Sequence, residues 1–146
     1  MPGATLAQDR PGRVTDIAVD HSEFVHLGEV QFAQVVKIMQ DEGLYATVSS
    51  FHIKGWFGEH TKLSGARWIV QRLLGRTLDD ETKRWVYVGD STNDQLMFAH
   101  FPLSVGVANL MHFAPQLHIW PAYITPSERG AGFAEVARAL LTARAG

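Results

Sequence analysis

Hydrophobic and polar positions along the chain alternate with two different periods. In the first part, a strand-like alternation is followed by one helical stripe and then by two short strands that lie too close together for a helix between them. The predicted elements are strands at 13–20, 44–49 and 51–56 and a helix with the stripe Phe32, Val35, Val36 and Met39. This pattern predicts a small α+β lobe over residues 13–60, after a flexible lead-in over residues 1–12 that has no periodic apolar face.

In the second part the order changes to helix, strand, helix, strand, which indicates a parallel sheet with covering helices. One strand, at 85–88, is apolar on both faces, as buried strands of parallel sheets are. The other predicted elements are strands at 103–107 and 122–124, helices with the stripes Ala66, Ile69, Val70, Leu73 and Phe133, Val136, Ala137, Leu140, and a helix at 95–100. We therefore expect an α/β fold with a Rossmann-like core over residues 61–146, and we expect Trp68 and Trp85 in its interior.

Composition and charge narrow the possible partners. The chain has 146 residues, 46% of them hydrophobic, with 13 Lys and Arg against 15 Asp and Glu, and it has no cysteine. The near balance of charge supplies no field that would attract nucleic acid or anionic lipid, and no apolar run approaches the about 20 residues that span a bilayer. We expect neither nucleic acid nor a membrane as partner. The lack of cysteine fits a reducing compartment, so we expect a cytoplasmic location.

The densest chemical signal is the segment Gly89–Asp94, with the sequence GDSTND, which directly follows the buried strand. In open α/β sheets, ligands bind at the carboxyl ends of the strands. Asp90 and Asp94 offer the hard oxygen atoms that Mg²⁺ prefers, while Ser91, Thr92 and the N–H groups of the following helix could meet a phosphate. The alternative is that Asp90 and Ser91 only cap a helix, and the position after a buried strand favours the site.

The segment WVYVGDSTNDQLMF, with Lys62 in KLSGARWIVQRLLG before it and SVGVANL after it, resembles the haloacid dehalogenase (HAD) superfamily of phosphatases. Within that superfamily it resembles the sugar-phosphatase branch, which includes sucrose-phosphate and mannosyl-3-phosphoglycerate phosphatases. The likeness covers about residues 44–142. It implies the C-terminal portion of a HAD core with an α+β cap, to which the first lobe would belong. It also implies magnesium-dependent hydrolysis of a small phosphomonoester such as a sugar phosphate.

The resemblance also implies roles for individual residues. By this resemblance Lys62 holds the phosphoryl group and Asp90 binds magnesium directly. Asn93 and Asp94 order the other side of the metal and the lysine, and Asn109 falls where the family often places a residue near the substrate. Phosphoryl transfer needs positioning and neutralisation of charge, which a lysine and a divalent cation supply. Taken alone, Lys62 would be a surface lysine at the start of a helix.

Three residues of the first lobe are candidate substrate contacts, because the cap selects the substrate in this family. They are Ser49, Ser50 and His52. The alternative for His52 is a structural histidine in a hairpin. The chain has seven histidines, and none of them has a metal-ligand spacing, so we do not expect histidine to bind a metal here.

The nucleophile that the resemblance implies has no counterpart in the sequence. HAD phosphatases attack phosphate with an aspartate in a DxDGT-like motif, and this chain has no DxD. The nearest match is Asp20, which ends an apolar strand but is followed by Ser22 where the second acid would stand. Two interpretations stay open. Asp20 is an impaired nucleophile, or it belongs to a cap strand and the nucleophile lies upstream, with Met1 as an internal start.

By the same resemblance, the nucleophile would end a first core strand that pairs beside the strand at 85–88. Without it, that strand would have an apolar edge, and uncovered edges recruit other strands. We therefore expect self-association or a separately supplied N-terminal segment. Two hypotheses for function follow. The first is a HAD-type phosphomonoester hydrolase or its C-terminal fragment. The second is an inactive remnant that binds metal or phosphate, or that assembles with another polypeptide.

Overall fold

The computed structural model of the chain describes residues 3–49 and 51–145, and it divides into two compact units, residues 1–59 and 60–146. The boundary that we predict from the sequence, after residue 60, lies next to this division. Each unit has its own sheet. Among the described residues, no helix combines the length and the apolar character that a membrane span requires.

The first unit is a four-stranded antiparallel sheet with one helix packed on it. Its strands are β1 (Thr5–Leu6), β2 (Asp16–Asp20), β3 (Tyr45–Val48) and β4 (His52–Trp56), in the order β1-β2-β4-β3, and its helix is α1 (Glu29–Asp41). Strand β2 is therefore paired at both of its edges. The core between sheet and helix is built by Val19, Leu27, Val35, Met39 and Ile53.

Part of the predicted lead-in is a strand. Thr5 and Leu6 pair antiparallel with Asp20 and Val19, and the N–H of Ala7 donates to Ala18 O at 2.9 Å. A strand of two residues is too short to show a period of two, so only the pairing with β2 reveals it.

The second unit confirms the predicted α/β class with a parallel sheet. Its strands are β5 (Val86–Gly89), β6 (Leu103–Gly106) and β7 (Tyr123–Ile124), in the order β5-β6-β7, and its helices are α2 (Lys62–Leu74), α3 (Gln95–His100) and α4 (Arg129–Ala145). Both strand pairs are parallel. Short 3₁₀ helices at Leu78–Arg84, Thr92–Asp94 and Ala108–Gln116 complete the connections.

The predicted stripe of α2 is only half right. Val70 is buried and Ala66 packs against the same cluster, but Ile69 and Leu73 are exposed. The expectation that Trp68 is interior is wrong, because 65% of this residue is exposed. Helix α2 carries apolar residues on two faces, and periodicity cannot tell which of the two faces the sheet.

Helix α4 lies on the other side of the sheet. Tyr87 lies on the α3 side, where its ring contacts Phe98 and Phe101. Neighbouring side chains of a strand point to opposite faces, so Val86 lies on the α4 side. An apolar cavity of about 360 Å³ remains there between sheet and helix, and its lining includes Val86, Val105, Tyr123, Val136 and Leu140.

Candidate active site

The candidate site is built on the turn that follows β5. The strand ends at Gly89, where an added Cβ would lie 2.7 Å from the Cγ of Asp94, so only glycine permits this close approach. The chain then turns, and the N–H of Asp94 donates to Ser91 O at 3.1 Å. This turn brings the side chain of Asp94 back against the end of the strand from which it came.

The Asp94 carboxylate accepts four hydrogen bonds. Its Oδ1 accepts from Lys62 Nζ and from the Tyr87 hydroxyl, both at 2.5 Å. Its Oδ2 accepts from the backbone N–H groups of Asp90 at 2.8 Å and Ser91 at 3.1 Å. A carboxylate offers about four lone-pair positions, so the oxygens of this buried side chain are fully used by the protein.

These contacts decide how Asp94 and Tyr87 titrate. Burial alone would raise the pKa of the Asp94 carboxyl, but the hydrogen bonds from Lys62 and Tyr87 and the lysine charge outweigh it, and the pKa lies below its ordinary value. Burial raises the pKa of the Tyr87 hydroxyl, and its hydrogen bond to the Asp94 carboxylate raises it further. Asp94 is therefore an anion and Tyr87 a neutral donor at neutral pH.

Lys62 is placed by the beginning of α2. Thr61 is the N-cap, with its Oγ1 accepting from the Ser64 N–H at 3.1 Å, so Lys62 is the first helical residue. The ammonium donates to Asn93 Oδ1 at 2.8 Å as well as to Asp94. The Lys62 side chain is still 48% exposed, so its charge is oriented by the protein and accessible from solvent.

Asn109 joins the ends of two strands. It lies just beyond β6, and its Nδ2 donates to Asp90 Oδ2 at 3.3 Å. Its Oδ1 accepts from the backbone N–H of Arg129 at 3.0 Å. Arg129 has a φ of 52°, the left-handed conformation that costs a non-glycine residue about 1 kcal/mol. The side chain of Asn109 thus ties the start of α4 to the acid that follows β5.

The structure brings five of the predicted site residues together in the second unit: Lys62, Asp90, Asn93, Asp94 and Asn109. Two others, Ser49 and His52, lie in the first unit. There Ser49 Oγ donates to His52 O at 3.0 Å, and His52 Nε2 lies 3.0 Å from Glu23 Oε2. Ser50 lies outside the described residues. The substrate-binding roles of these three residues stay predictions.

Asp20 is engaged by its own turn. Its carboxylate accepts from the backbone N–H groups of Ser22, Glu23 and Phe24 at 2.9–3.1 Å. Burial would raise the pKa of the Asp20 carboxyl, but these three hydrogen bonds hold it below the ordinary value. Asp20 ends an antiparallel strand of the first unit, so the structure favours the interpretation that places it in a strand of that lobe over the one that makes it a core nucleophile.

Tyr87 is the residue of the site that sequence reasoning missed. It lies in the middle of β5, where the pattern indicates only a buried strand. A buried tyrosine hydroxyl needs a hydrogen-bond partner, and an acid following the same strand is a natural one. The presence of a tyrosine between two valines was therefore a signal that could have been used.

The turn after β5 offers few oxygen atoms for the magnesium ion that the resemblance implies. Among the described residues, no group of three or more His, Cys, Asp or Glu could hold a metal. Asp94 is committed to four donors, and Asn93 Oδ1 accepts from both Lys62 and Ser91 Oγ. Asp90, which accepts from Asn109 Nδ2 at 3.3 Å, is the acid that the resemblance assigns to the cation. One carboxylate is compatible with magnesium because this ion usually keeps waters and takes substrate phosphate oxygens.

Comparison with solved structures identifies the fold. The chain is similar to a protein described as a HAD/COF-like hydrolase from Plasmodium vivax, with 18% identity, a TM-score of 0.58, and 82% of this chain and 39% of that chain covered. It is also similar to the Thermoplasma acidophilum protein 0175, with 14% identity, a TM-score of 0.61, and 92% of this chain and 54% of that chain covered. A haloacid dehalogenase-like hydrolase from Bacteroides thetaiotaomicron is similar with 16% identity, a TM-score of 0.52, and 88% of this chain and 44% of that chain covered.

The likeness shows that this chain has the fold of these structures, two of which are described as HAD-like hydrolases. The chain spans about two-fifths to about half of the length of these structures. No protein-family model and no curated protein sequence matches the chain. The sugar-phosphatase branch therefore stays a prediction.

Proposed function

We propose that this chain acts in magnesium-dependent hydrolysis of phosphomonoesters in the manner of HAD phosphatases, alone or as the C-terminal portion of such an enzyme. The observation that carries the proposal is the Lys62 ammonium, which Asn93 and Asp94 hold at the carboxyl end of β5 beside the turn that carries Asp90. An oriented, accessible cation at the end of a parallel strand is a suitable binding point for a phosphoryl group.

In this proposal the residues of the turn position charge. Lys62 binds the phosphoryl oxygens and neutralises the negative charge that grows on them. Asp94 stays ionised, because its pKa is low, and keeps the ammonium in one place. Tyr87 holds the same carboxylate oxygen from the interior of the sheet. Such positioning is the main contribution a protein makes to phosphoryl transfer.

Magnesium would be held by Asp90, which Asn109 orients through its amide. When bound, the ion would supply further neutralisation of the phosphoryl oxygens. A phosphosugar is the proposed substrate class, on the strength of the resemblance to the sugar-phosphatase branch. Ser49, Ser50 and His52 are the proposed substrate contacts, and Glu23 would fix the orientation of the His52 ring.

The test is magnesium-dependent hydrolysis of an aryl phosphate by the purified chain, with Asp90→Asn as the variant. Asp80→Asn is the matched control, because Asp80 is an exposed acid in the 3₁₀ helix before β5. Turnover in the unmodified chain and in the control, with loss of turnover in Asp90→Asn, would support the proposal for the chain alone. Equal turnover in both variants would contradict the assignment of Asp90.

A second candidate is binding of phosphate or metal without turnover. The observation that favours it is the state of the two buried acids: Asp94 is occupied by four donors, and Asp20 by three N–H groups of its own turn. Asp94 therefore has no acceptor position left for a nucleophile's role, and Asp20 keeps about one of four. In this case no hydrolysis is detected, while inorganic phosphate still shifts the NMR signals of residues 89–94 and Lys62→Gln abolishes that shift.

A further inference from the structure

The turn after β2 brings a histidine and a serine into direct contact. His21 follows the last residue of the strand, and its Nδ1 lies 2.6 Å from the Oγ of Ser22. The other ring nitrogen, Nε2, lies 2.9 Å from the backbone carbonyl oxygen of Ser49. His21 and Ser22 have no part in the proposed hydrolysis, whose lysine and acids lie in the second unit.

These two contacts determine which ring nitrogen of His21 carries the proton. A carbonyl oxygen can only accept a hydrogen bond, so Nε2 carries the proton and donates it to Ser49 O. In the neutral ring Nδ1 then has a free lone pair, which accepts the hydroxyl proton of Ser22. The imidazole is therefore arranged as a base toward a single hydroxyl group.

The surroundings of His21 hold this arrangement in place. The residue is 5% exposed, and its ring packs edge-on against Phe32 of α1, with the ring centroids 4.6 Å apart. The N–H of His21 donates to Phe51 O at 2.9 Å. The N–H of Ser22 donates to Asp20 Oδ1 at 3.1 Å. Ser22 itself is only half-buried, so a fixed base lies beside a serine that solvent reaches.

We propose that Ser22 is a nucleophile that takes an acyl group from an uncharged activated ester, with His21 as its general base. The Ser22 Oγ forms a bond to the carbonyl carbon of the ester, and the hydroxyl proton moves to His21 Nδ1. The bond from this carbon to the leaving oxygen then breaks, and the leaving oxygen takes the proton from Nδ1. The acyl group stays on Oγ. The carbonyl of Ser49 orients the base, which is the third role in such an arrangement.

The charges near Ser22 favour an uncharged acyl donor over a phosphate ester. The Asp20 carboxylate accepts the N–H of Ser22, and its pKa lies below the ordinary value, so it is an anion at neutral pH. The residue after Ser22 is a second acid, Glu23, whose side chain is 44% exposed. Both acids repel an anionic phosphoryl group, whereas a neutral ester gives them no charge to repel.

The experiment is acetylation of the full chain by p-nitrophenyl acetate, with a chelator present to exclude metal-dependent hydrolysis. Peptide mass spectrometry measures the rate at which each serine gains an acetyl group. Ser127 is the internal control, because it is also half-buried but its hydroxyl donates to Glu135 Oε1 at 2.5 Å, and a carboxylate is a weaker base than imidazole.

General base catalysis contributes about 100-fold to 10,000-fold, so we expect Ser22 to gain acetyl groups at least about 100 times faster than Ser127. Equal rates at the two serines would overturn the proposal. His21→Gln keeps a polar side chain at the buried position but cannot take up a proton. This variant should slow acetylation of Ser22 by about 100-fold and leave Ser127 unchanged. An unchanged rate at Ser22 would overturn the role of His21.

Two measurements keep the proposal testable if His21→Gln does not fold. In the unmodified chain, ¹⁵N NMR of the neutral His21 ring should show the proton on Nε2, and a proton on Nδ1 would overturn the proposal because Ser22 would then be the acceptor. The chain has no cysteine, so Ser22→Cys and Ser127→Cys each introduce a single thiol. Iodoacetamide should alkylate the thiol at position 22 at least about tenfold faster at pH 7, because a neighbouring histidine promotes the thiolate. Equal or slower alkylation there would overturn the assignment of the base.

Discussion

Strands β2 and β5 are both short apolar runs that lead into an aspartate, and the two acids are used differently. Strand β2 is paired at both edges, and the Asp20 carboxylate accepts three N–H groups of the turn that follows it. Within the described part of the chain, strand β5 is paired at one edge, and the N–H groups of Asp90 and Ser91 in its turn donate to Asp94.

The comparison shows what a second acid in the turn accomplishes. In the first unit one aspartate both ends the strand and satisfies the turn, so three of its about four acceptor positions are used by the turn. In the second unit Asp94 satisfies the turn and also holds Lys62, while Asp90 contacts the side chain of Asn109. The same pattern of apolar strand and aspartate therefore produces a structural cap in one unit and a candidate site in the other.

Of the three substitutions, Asp94→Asn should have the largest effect on stability. The variant removes the charge that pairs with Lys62 and places an amide among four donors, so we expect the free energy of unfolding to fall by about 3 kcal/mol. Urea denaturation measures this loss. Asp41→Asn, in the exposed pair with Lys37, is the control and should change the value by about 0.5 kcal/mol or less.

The same variant tests how protonation of Asp94 changes the free energy of unfolding as the pH falls. The pKa of Asp94 in the folded chain lies below the ordinary value of 3.8, so the carboxylate stabilises the fold above that pH, and this contribution is lost as the pH falls below it. As the pH falls below about 4, the free energy of unfolding should therefore fall less in Asp94→Asn than in the unmodified chain. A steeper loss in the variant would contradict the assigned hydrogen bonds.

Asp20→Asn should lower stability without affecting the candidate site. The variant weakens three hydrogen bonds of a buried turn, and we expect the free energy of unfolding to fall by about 2 kcal/mol. Binding of inorganic phosphate by the second unit, measured by NMR titration, should be unchanged. If Asp20→Asn abolished phosphate binding while the fold stayed intact, Asp20 would belong to the site and the contrast between the two acids would be wrong.

Tyr87→Phe should have the smallest effect of the three. It removes one hydrogen bond to Asp94 Oδ1 and leaves the Lys62 contact to the same oxygen, so we expect a loss of about 1.5 kcal/mol in urea denaturation. The ring keeps its contacts with Phe98 and Phe101, which separates the hydroxyl from the packing. A change of less than about 0.3 kcal/mol would show that the hydroxyl does not support the carboxylate.

Much of the fold could be predicted from local pattern. Helix α2 ends where Gly75 adopts a left-handed conformation with a φ of 63°, as a glycine after an apolar stripe predicts. The order of helices and strands in the second unit predicted the parallel sheet. Strand β1 and the exposed face of α2 could not be predicted, because both depend on which surfaces meet in three dimensions.

The candidate site, like the fold, could be predicted only in part, because some of its contacts depend on the three-dimensional structure. The meeting of Lys62 with Asn93 and Asp94 was expected from the resemblance, and the structure shows these contacts. The link from Asn109 to the N–H of Arg129 joins residues that are distant in the sequence, and no local pattern contains it. The hydrogen bond from Tyr87 to Asp94 lies within one strand and the turn after it, where the tyrosine between two valines was the available signal.

The two glycines that end β5 and β6 have a consequence for mutational tolerance. A Cβ at Gly106 would lie 2.5 Å from Leu110 Cδ2, and one at Gly89 would meet the Asp94 carboxylate, which four donors hold in place. In a saturation-mutagenesis library selected for folded chains, both positions should return glycine alone, whereas Leu73 on the exposed face of α2 should accept polar residues. The sequences that survive such a selection would then mark the ends of β5 and β6 by their invariant glycines, without any assay of activity.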